Sequence, residues 1–355
     1  MENLSSKPRI SWVDAARGFA LLCIVYGHAS RDVGLLARAF YSFHVPLCVF
    51  ITGYLYEWKG IGLRDHLKKE GFRLLMTYFL WSILSMGIYL IFGKIAAGSL
   101  GADVYSLKDN LIFMAKGLSI GNAPLWYLPF LFTLQLLVFF LFQLLKGKKP
   151  VSFLQKSVII LGPVVFSVLT LFVYGKYQYS HSLDLPFGLN NACFLLGVFW
   201  TGYIVKKTVS LPSGKQWLLP GFLLIAVSIF CALTLNDEVE YMSFDHSEYG
   251  RNIFVFYGTA LITCLGICWI FQNLKELPLL QWFGRNAMAI FLMHKFPVLF
   301  FQVLLGELGD RIGAFRFLLF FGISLLSMVL CCLAGMLFRR FFPWAIGESK
   351  EQSNS

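Results

Sequence analysis

The chain has 355 residues, of which 57% are hydrophobic, 17% aromatic and only 14% charged, and it carries a formal net charge of +11. A water-soluble domain holds roughly 25% charged residues, so too few are present to clothe a water-facing surface, and soluble enzyme folds are excluded. The positive balance reads as the Lys/Arg enrichment of cytoplasmic segments in a multi-span protein, and no nucleic-acid motif accompanies it.

Ten apolar runs approach the length of about 20 residues that crosses a bilayer core. They cover 10–30, 40–57, 72–93, 124–145, 157–174, 187–205, 217–235, 252–271, 279–301 and 314–342. The expectation is an all-α integral membrane bundle of about ten transmembrane helices. With the N-terminus placed in the cytoplasm, 18 Lys/Arg fall inside and 10 outside. That bias puts both termini in the cytoplasm. Residues 1–345 read as one transmembrane domain and 346–355, IGESKEQSNS, as a disordered tail.

The first run carries Asp14, Arg17 and His28, which are unlike the contents of a cleavable signal peptide. Ionisable groups within a span are costly, and they are usually paired or functional. Arg17 and His28 are eleven residues apart. At about 100° per residue that spacing returns to within about 20° of one direction, about 16 Å along the axis. Asp14 and Arg17 are an i,i+3 pair, spaced for a salt bridge. All three residues are therefore expected on one stripe.

Further along, His44 opens the second run, and Thr52-Gly53 suits a close helix contact or a hydroxyl in a site. The stretch RDHLKKEGFR (64–73) is basic and amphipathic. It is either a headgroup-facing segment or a trap for a polyanion using Lys68, Lys69 and Arg73. His66 within it is given no catalytic part. Trp126 and Tyr127 open the fourth run, either as interfacial anchors or as site residues. Asn190 and Asn191 interrupt the sixth. An acidic group at Asp237, Glu238, Glu240, Asp245 and Glu248 reads first as a solvated loop, with a substrate or cation contact as the alternative. The run 279–301 holds Arg285, Asn286 and His294, and its polarity places it inside the bundle. Arg285 is either a snorkelling interfacial residue or an anion contact. The eight cysteines all lie in apolar runs, without ligand spacing, and no metal site is expected.

The pattern D-x-x-R-G with a His eleven residues after the Arg resembles the signature of the acyltransferase family 3 membrane proteins, which include bacterial O-acetyltransferases of sugars and polysaccharides. FHVPLCVFITGYLY (43–56), FRLLMTYFLW (72–81), PLWYLPFLF (124–132), NNACFLLGVFWTGY (190–203) and FGRNAMAIFLMH (283–294) are similar to later segments of that family in the same order. Thr52, Thr77 and Phe50 depart from its usual residues. The resemblance implies a multi-pass enzyme of the bacterial cytoplasmic (inner) membrane, with acetyl-CoA as co-substrate and no metal. It implies transfer of an acetyl group to a hydroxyl of a cell-surface or lipid-linked glycan.

Acyl transfer needs a base for the hydroxyl, a stabiliser for the oxyanion and a holder for the donor phosphates. Histidine titrates near neutrality, and arginine stays charged with forked donors. The expected catalytic set is therefore His28, Arg17 and Asp14. Donor contacts are expected from Arg17, Lys68, Lys69, Arg73 and Arg285, and acceptor contacts from His44, Trp126, Asn190, Asn191 and His294. An acetyl-His28 intermediate stays open beside direct attack. The competing class is a transporter or flippase of a lipid-linked glycan, with the stripe lining its pathway.

Overall fold

In the computed structural model the described residues are 9–30, 34–100, 105–145, 157, 159, 161–170, 172, 185–236, 249–250, 252–274, 276–311 and 313–348. The acidic stretch 237–248 lies outside them, as does much of the run 157–174. Every regular element described is helical. Seven helices are long and apolar enough to cross a membrane, or eight when one bent pair is counted as a span.

Helix α1 (Ser11–Ala29) is the centre of the bundle. Around it pack α2 (Leu35–Tyr41), α3 (His44–Leu55), α11 (Ile253–Asn273), α12 (Pro278–Arg285), α13 (Ala287–Met293), α14 (Lys295–Arg311) and α15 (Arg316–Phe341). Its ionisable residues make it less apolar than the seven spans; burial by neighbours, rather than lipid, makes those residues tolerable. Small residues let the neighbours approach. A side chain at Gly18 would strike the Leu280 carbonyl of α12, and one at Gly284 would strike the Asp14 carbonyl of α1. The same reciprocal contact joins α3 to α9 (Leu189–Thr208), with Gly53 against the Phe199 carbonyl and Gly202 against that of Phe50. Gly53 is thus a close helix contact.

The remaining helices are α4 (Leu63–Glu70), α5 (Thr77–Leu100), α6 (Leu107–Lys116), α7 (Tyr127–Leu145), α8 (Leu161–Thr170) and α10 (Leu218–Leu235). A π-helical turn, Gly71–Met76, joins α4 to α5. On α10 the outward residues are large and apolar, with Leu219 and Phe230 each 66% exposed. Such a surface is a lipid-facing one in a chain of this composition.

The run 279–301 is not one straight span. It is broken at Asn286 between α12 and α13 and again at His294, where α13 and α14 meet at 50°. The second break has a plain cause. Pro297 has no N–H to give the Met293 carbonyl, and its ring clashes with that carbonyl in a regular helix. At the same bend the Leu292 carbonyl accepts from Asn122 Nδ2 at 2.9 Å, as backbone within a bundle requires.

Packing also continues beyond residue 345. Ile346 is fully buried, Trp81 Nε1 donates to the Ala345 carbonyl at 2.7 Å, and Glu348 pairs with Arg339. The expected tail boundary therefore falls too early, and residues 349–355 lie outside the described ones. Trp81→Phe should leave the Ala345 carbonyl unsatisfied and cost about 1–3 kcal/mol. The unfolding midpoint of the detergent-purified protein would read this loss.

Candidate functional site

A cavity of about 1070 Å³ runs along α1. Ile10, Val13, Asp14, Arg17, Leu21, Ile24 and His28 line it, one stripe at helical spacing. The facing wall continues from α2 into α3 through Arg38, Tyr41, His44, Val45, Cys48 and Thr52. Arg17 and His28 thus look into one continuous space from two levels, about 16 Å apart along the axis.

At the end where α1 starts, the lining is strongly charged. Arg9, Lys59, Lys69, Arg73, Lys206 and Arg285 supply cations, and Asp14, Glu57, Glu70 and Glu348 supply carboxylates. Arg73 Nε and Nη2 both donate to Glu70 Oε2, at 3.0 and 2.6 Å, and Lys69 Nζ lies 3.4 Å from Glu70. Glu70 is buried, so the pair holds the Arg73 guanidinium at the wall. Arg73 sits in the π-helical turn, a device often found at functional sites. Arg339 donates to both oxygens of Glu348 and to Asn286 Oδ1, joining the chain's C-terminal strap to the break after α12.

The expected Asp14–Arg17 ion pair does not form. Among the described residues no salt bridge joins them, and Arg17, Arg9 and Arg285 act on Asp14 only at longer range. The i,i+3 spacing permits a contact but does not compel it, and the two side chains enter the cavity separately. The Arg17 guanidinium is therefore open to an incoming anion.

At the other end of α1, the His28 ring stacks on His294, with centroids 5.3 Å apart. Among the described residues neither imidazole nitrogen of His28 is engaged in a hydrogen bond. Its backbone is anchored instead, because Gln302 Nε2 donates to the His28 and Ala29 carbonyls at 2.7 and 3.0 Å. His44 Nδ1 donates to the Phe40 carbonyl at 2.8 Å, and its ring meets Tyr41 edge-on at 4.6 Å. Trp126 lines the cavity beside Tyr127, which packs on Phe291.

Four expected site residues do not line the cavity. Lys68 is exposed and off the cavity, whereas Lys69, one helical step on and also exposed, borders it. Asn191 is buried against the Tyr249 hydroxyl, which donates to its side-chain oxygen, and Asn190 likewise lies off the cavity. His294 is fully buried behind His28, with Nδ1 donating to the Ile290 carbonyl at 2.8 Å. It supports the His28 ring rather than facing the space.

The sequence reading also missed residues. His66 turns inward, stacks near Phe139 at 4.9 Å and lines the cavity with Gln135, Glu57, Lys206 and Lys295. Lys59 and Lys206 look like ordinary basic flanks in sequence. Lys59 follows α3, whose residues line the same wall, whereas Lys206 is the single described residue of α9 in the lining and nothing local marked it. No group of three or more potential metal ligands exists among the described residues.

Long apolar helices closed around an ionisable chamber define an integral membrane protein with a polar interior. The chain matches the family 3 model described as an acyltransferase domain over residues 10–336, and it belongs to that membrane acyltransferase family. No curated protein and no solved structure gives a significant match.

Proposed function

We propose that the protein is an O-acyltransferase that moves an acetyl group from cytoplasmic acetyl-CoA to a hydroxyl of a cell-surface or lipid-linked glycan. One observation carries the reading: Arg17 and His28 line opposite levels of a single cavity. We read α1 and the run that holds α8 as two further crossings beside the seven apolar helices and the bent pair, which would make ten passes through a bacterial cytoplasmic membrane with both termini inside.

In this scheme the nucleotide end of the donor meets Arg9, Arg17, Lys69, Arg73 and Arg285, and the pantetheine arm runs along α1 toward His28. The imidazole of His28 takes the proton of the acceptor hydroxyl as the oxygen attacks the thioester carbonyl. The tetrahedral oxyanion collapses, the carbon–sulfur bond breaks, and the proton passes to the departing CoA sulfur. Atoms and charge balance without a metal step. His44 and Trp126 lie where the acceptor would contact the wall. Asp14 would tune the local field at Arg17 rather than orient it by contact.

Arg17→Ala should weaken acetyl-CoA binding by about tenfold or more, the loss of one charge-assisted contact of about 1.5–3 kcal/mol. Binding of labelled acetyl-CoA to purified protein measures it. Unchanged affinity in a folded variant would remove Arg17 from the donor site. Transfer of label to glycan in membranes tests the reaction itself; a flippase would bind no acetyl-CoA and transfer none.

A further inference from the structure

One imidazole nitrogen behind the cavity has no use in the packing. His294 is fully buried at the bend between α13 and α14, and its Nδ1 donates to the Ile290 and Phe291 carbonyls at 2.8 and 3.1 Å. Carbonyls can only accept, so the ring proton is on Nδ1, and in the uncharged ring Nε2 keeps a bare lone pair. Among the described residues that buried nitrogen has no hydrogen-bond partner. A polar atom buried without a partner is costly, and such atoms are rare enough that each calls for a cause.

The ring of His294 lies against that of His28, with centroids 5.3 Å apart and planes 30° apart. His28 also lines the cavity. An imidazole carries its two nitrogens on different edges, so one can face a substrate while the other turns back to His294. The main chain is pinned at both places, by Gln302 on the His28 carbonyl and by Asn122 on the Leu292 carbonyl. A rotation of His28 about its Cβ–Cγ bond, with no main-chain shift, carries a ring N–H toward His294 Nε2. A histidine base works best with an acceptor behind it that fixes the tautomer and steadies the imidazolium, a part that a carboxylate plays in the serine hydrolases. Among the described residues the groups that act on His28 are Lys295, His294 and His44, and no carboxylate is among them.

We propose that His294 is the positioning residue of the His28 base, its Nε2 accepting a hydrogen bond from the second ring nitrogen of His28. The inference rests on the acyltransferase reading above and adds to it the partner that holds the base. As the acceptor oxygen bonds to the thioester carbon, its proton moves to the cavity-facing nitrogen of His28. The other N–H of the imidazolium stays bonded to His28 and donates to His294 Nε2. When the carbon–sulfur bond breaks, the cavity-facing proton goes to the CoA sulfur, and His294 ends unchanged. A neutral imidazole does this without a fixed anion inside the span, where one would be costly.

Transfer of label from acetyl-CoA to host membranes and binding of labelled acetyl-CoA to the purified full-length protein are measured on wild type, His294→Phe, His294→Gln and His294→Asn. His294→Phe keeps a ring against His28 and removes the acceptor. Its turnover should fall at least about tenfold with acetyl-CoA affinity unchanged. The Gln amide reaches as far as Nε2 and should hold turnover within about threefold of wild type, whereas the Asn amide reaches only as far as Nδ1 and should lose as much as His294→Phe. A merely structural His294 would give the reverse order, because the Asn amide can keep the bond to the Ile290 carbonyl. That reversal overturns the inference, as does equal turnover in the Gln and Asn variants, or full turnover in a folded His294→Phe protein. Should His294→Phe fail to fold, the order of the Gln and Asn variants decides; failure of all three makes the ring a packing element and overturns the inference too. Wild type that neither binds acetyl-CoA nor transfers label counts against the acyltransferase reading, whereas wild-type transfer that is indifferent to these substitutions counts against the His294 assignment alone.

Discussion

His28→Ala should abolish measurable acetyl transfer, a fall of at least about a hundredfold, the low end of what a positioned base contributes. The result is informative because the variant should still fold. The imidazole of His28 makes no side-chain hydrogen bond among the described residues, and the backbone there is held by Gln302 from another helix. Labelled acetyl-CoA and host membranes supply the assay, and the unfolding midpoint supplies the control. Donor binding should persist, since the cations assigned to the donor, Arg9, Arg17, Lys69, Arg73 and Arg285, lie toward the other end of α1. Full transfer by a folded His28→Ala protein would exclude this imidazole as the base.

Gly284→Val should have the largest effect on stability. A Cβ at that position drives into the backbone carbonyl of Asp14, which no rotamer change can relieve. Helix α12 would have to leave α1, and the overpacking would cost at least about 3 kcal/mol. Loss of monodisperse protein on extraction, or a large drop in unfolding midpoint, is the expected reading. Gly258→Ala makes the matched control, because a Cβ there meets no atom. A Gly284→Val protein as stable as that control would mean that α1 and α12 are not in backbone contact at this position.

What could be read from the sequence follows from what is local. The stripe Asp14, Arg17, His28 was legible because the helical period alone fixes direction within one helix. The apolar runs were legible because each span must be continuous in lipid. The partner of a side chain is not local. Nothing near Asn191 announces Tyr249, 58 residues away, and so an amide that looked like a sugar contact is part of the packing. The break at His294 was legible in principle from Pro297, whose effect on a preceding carbonyl is a local rule. Lys68 and Lys69 differ only by one helical step, and no pattern in a short basic stretch says which one borders the cavity. The chain end was misjudged for another reason. A polar composition hides a single apolar residue, Ile346, whose burial needs the groove that receives it.

The chamber's two walls differ in how they are held. On one side the main chain of α1 touches that of α12 through Gly18 and Gly284, with no side chain between them to swing aside. On the other, α4 meets α7 through the ring of His66 against Phe139, and the Glu70–Arg73 pair lies within α4 and its π-helical turn. Rings and ion pairs can rearrange, whereas touching backbones cannot. A guest of greater girth should therefore displace α4 before the α1–α12 wall, leaving the imidazole and guanidinium of α1 in register with each other.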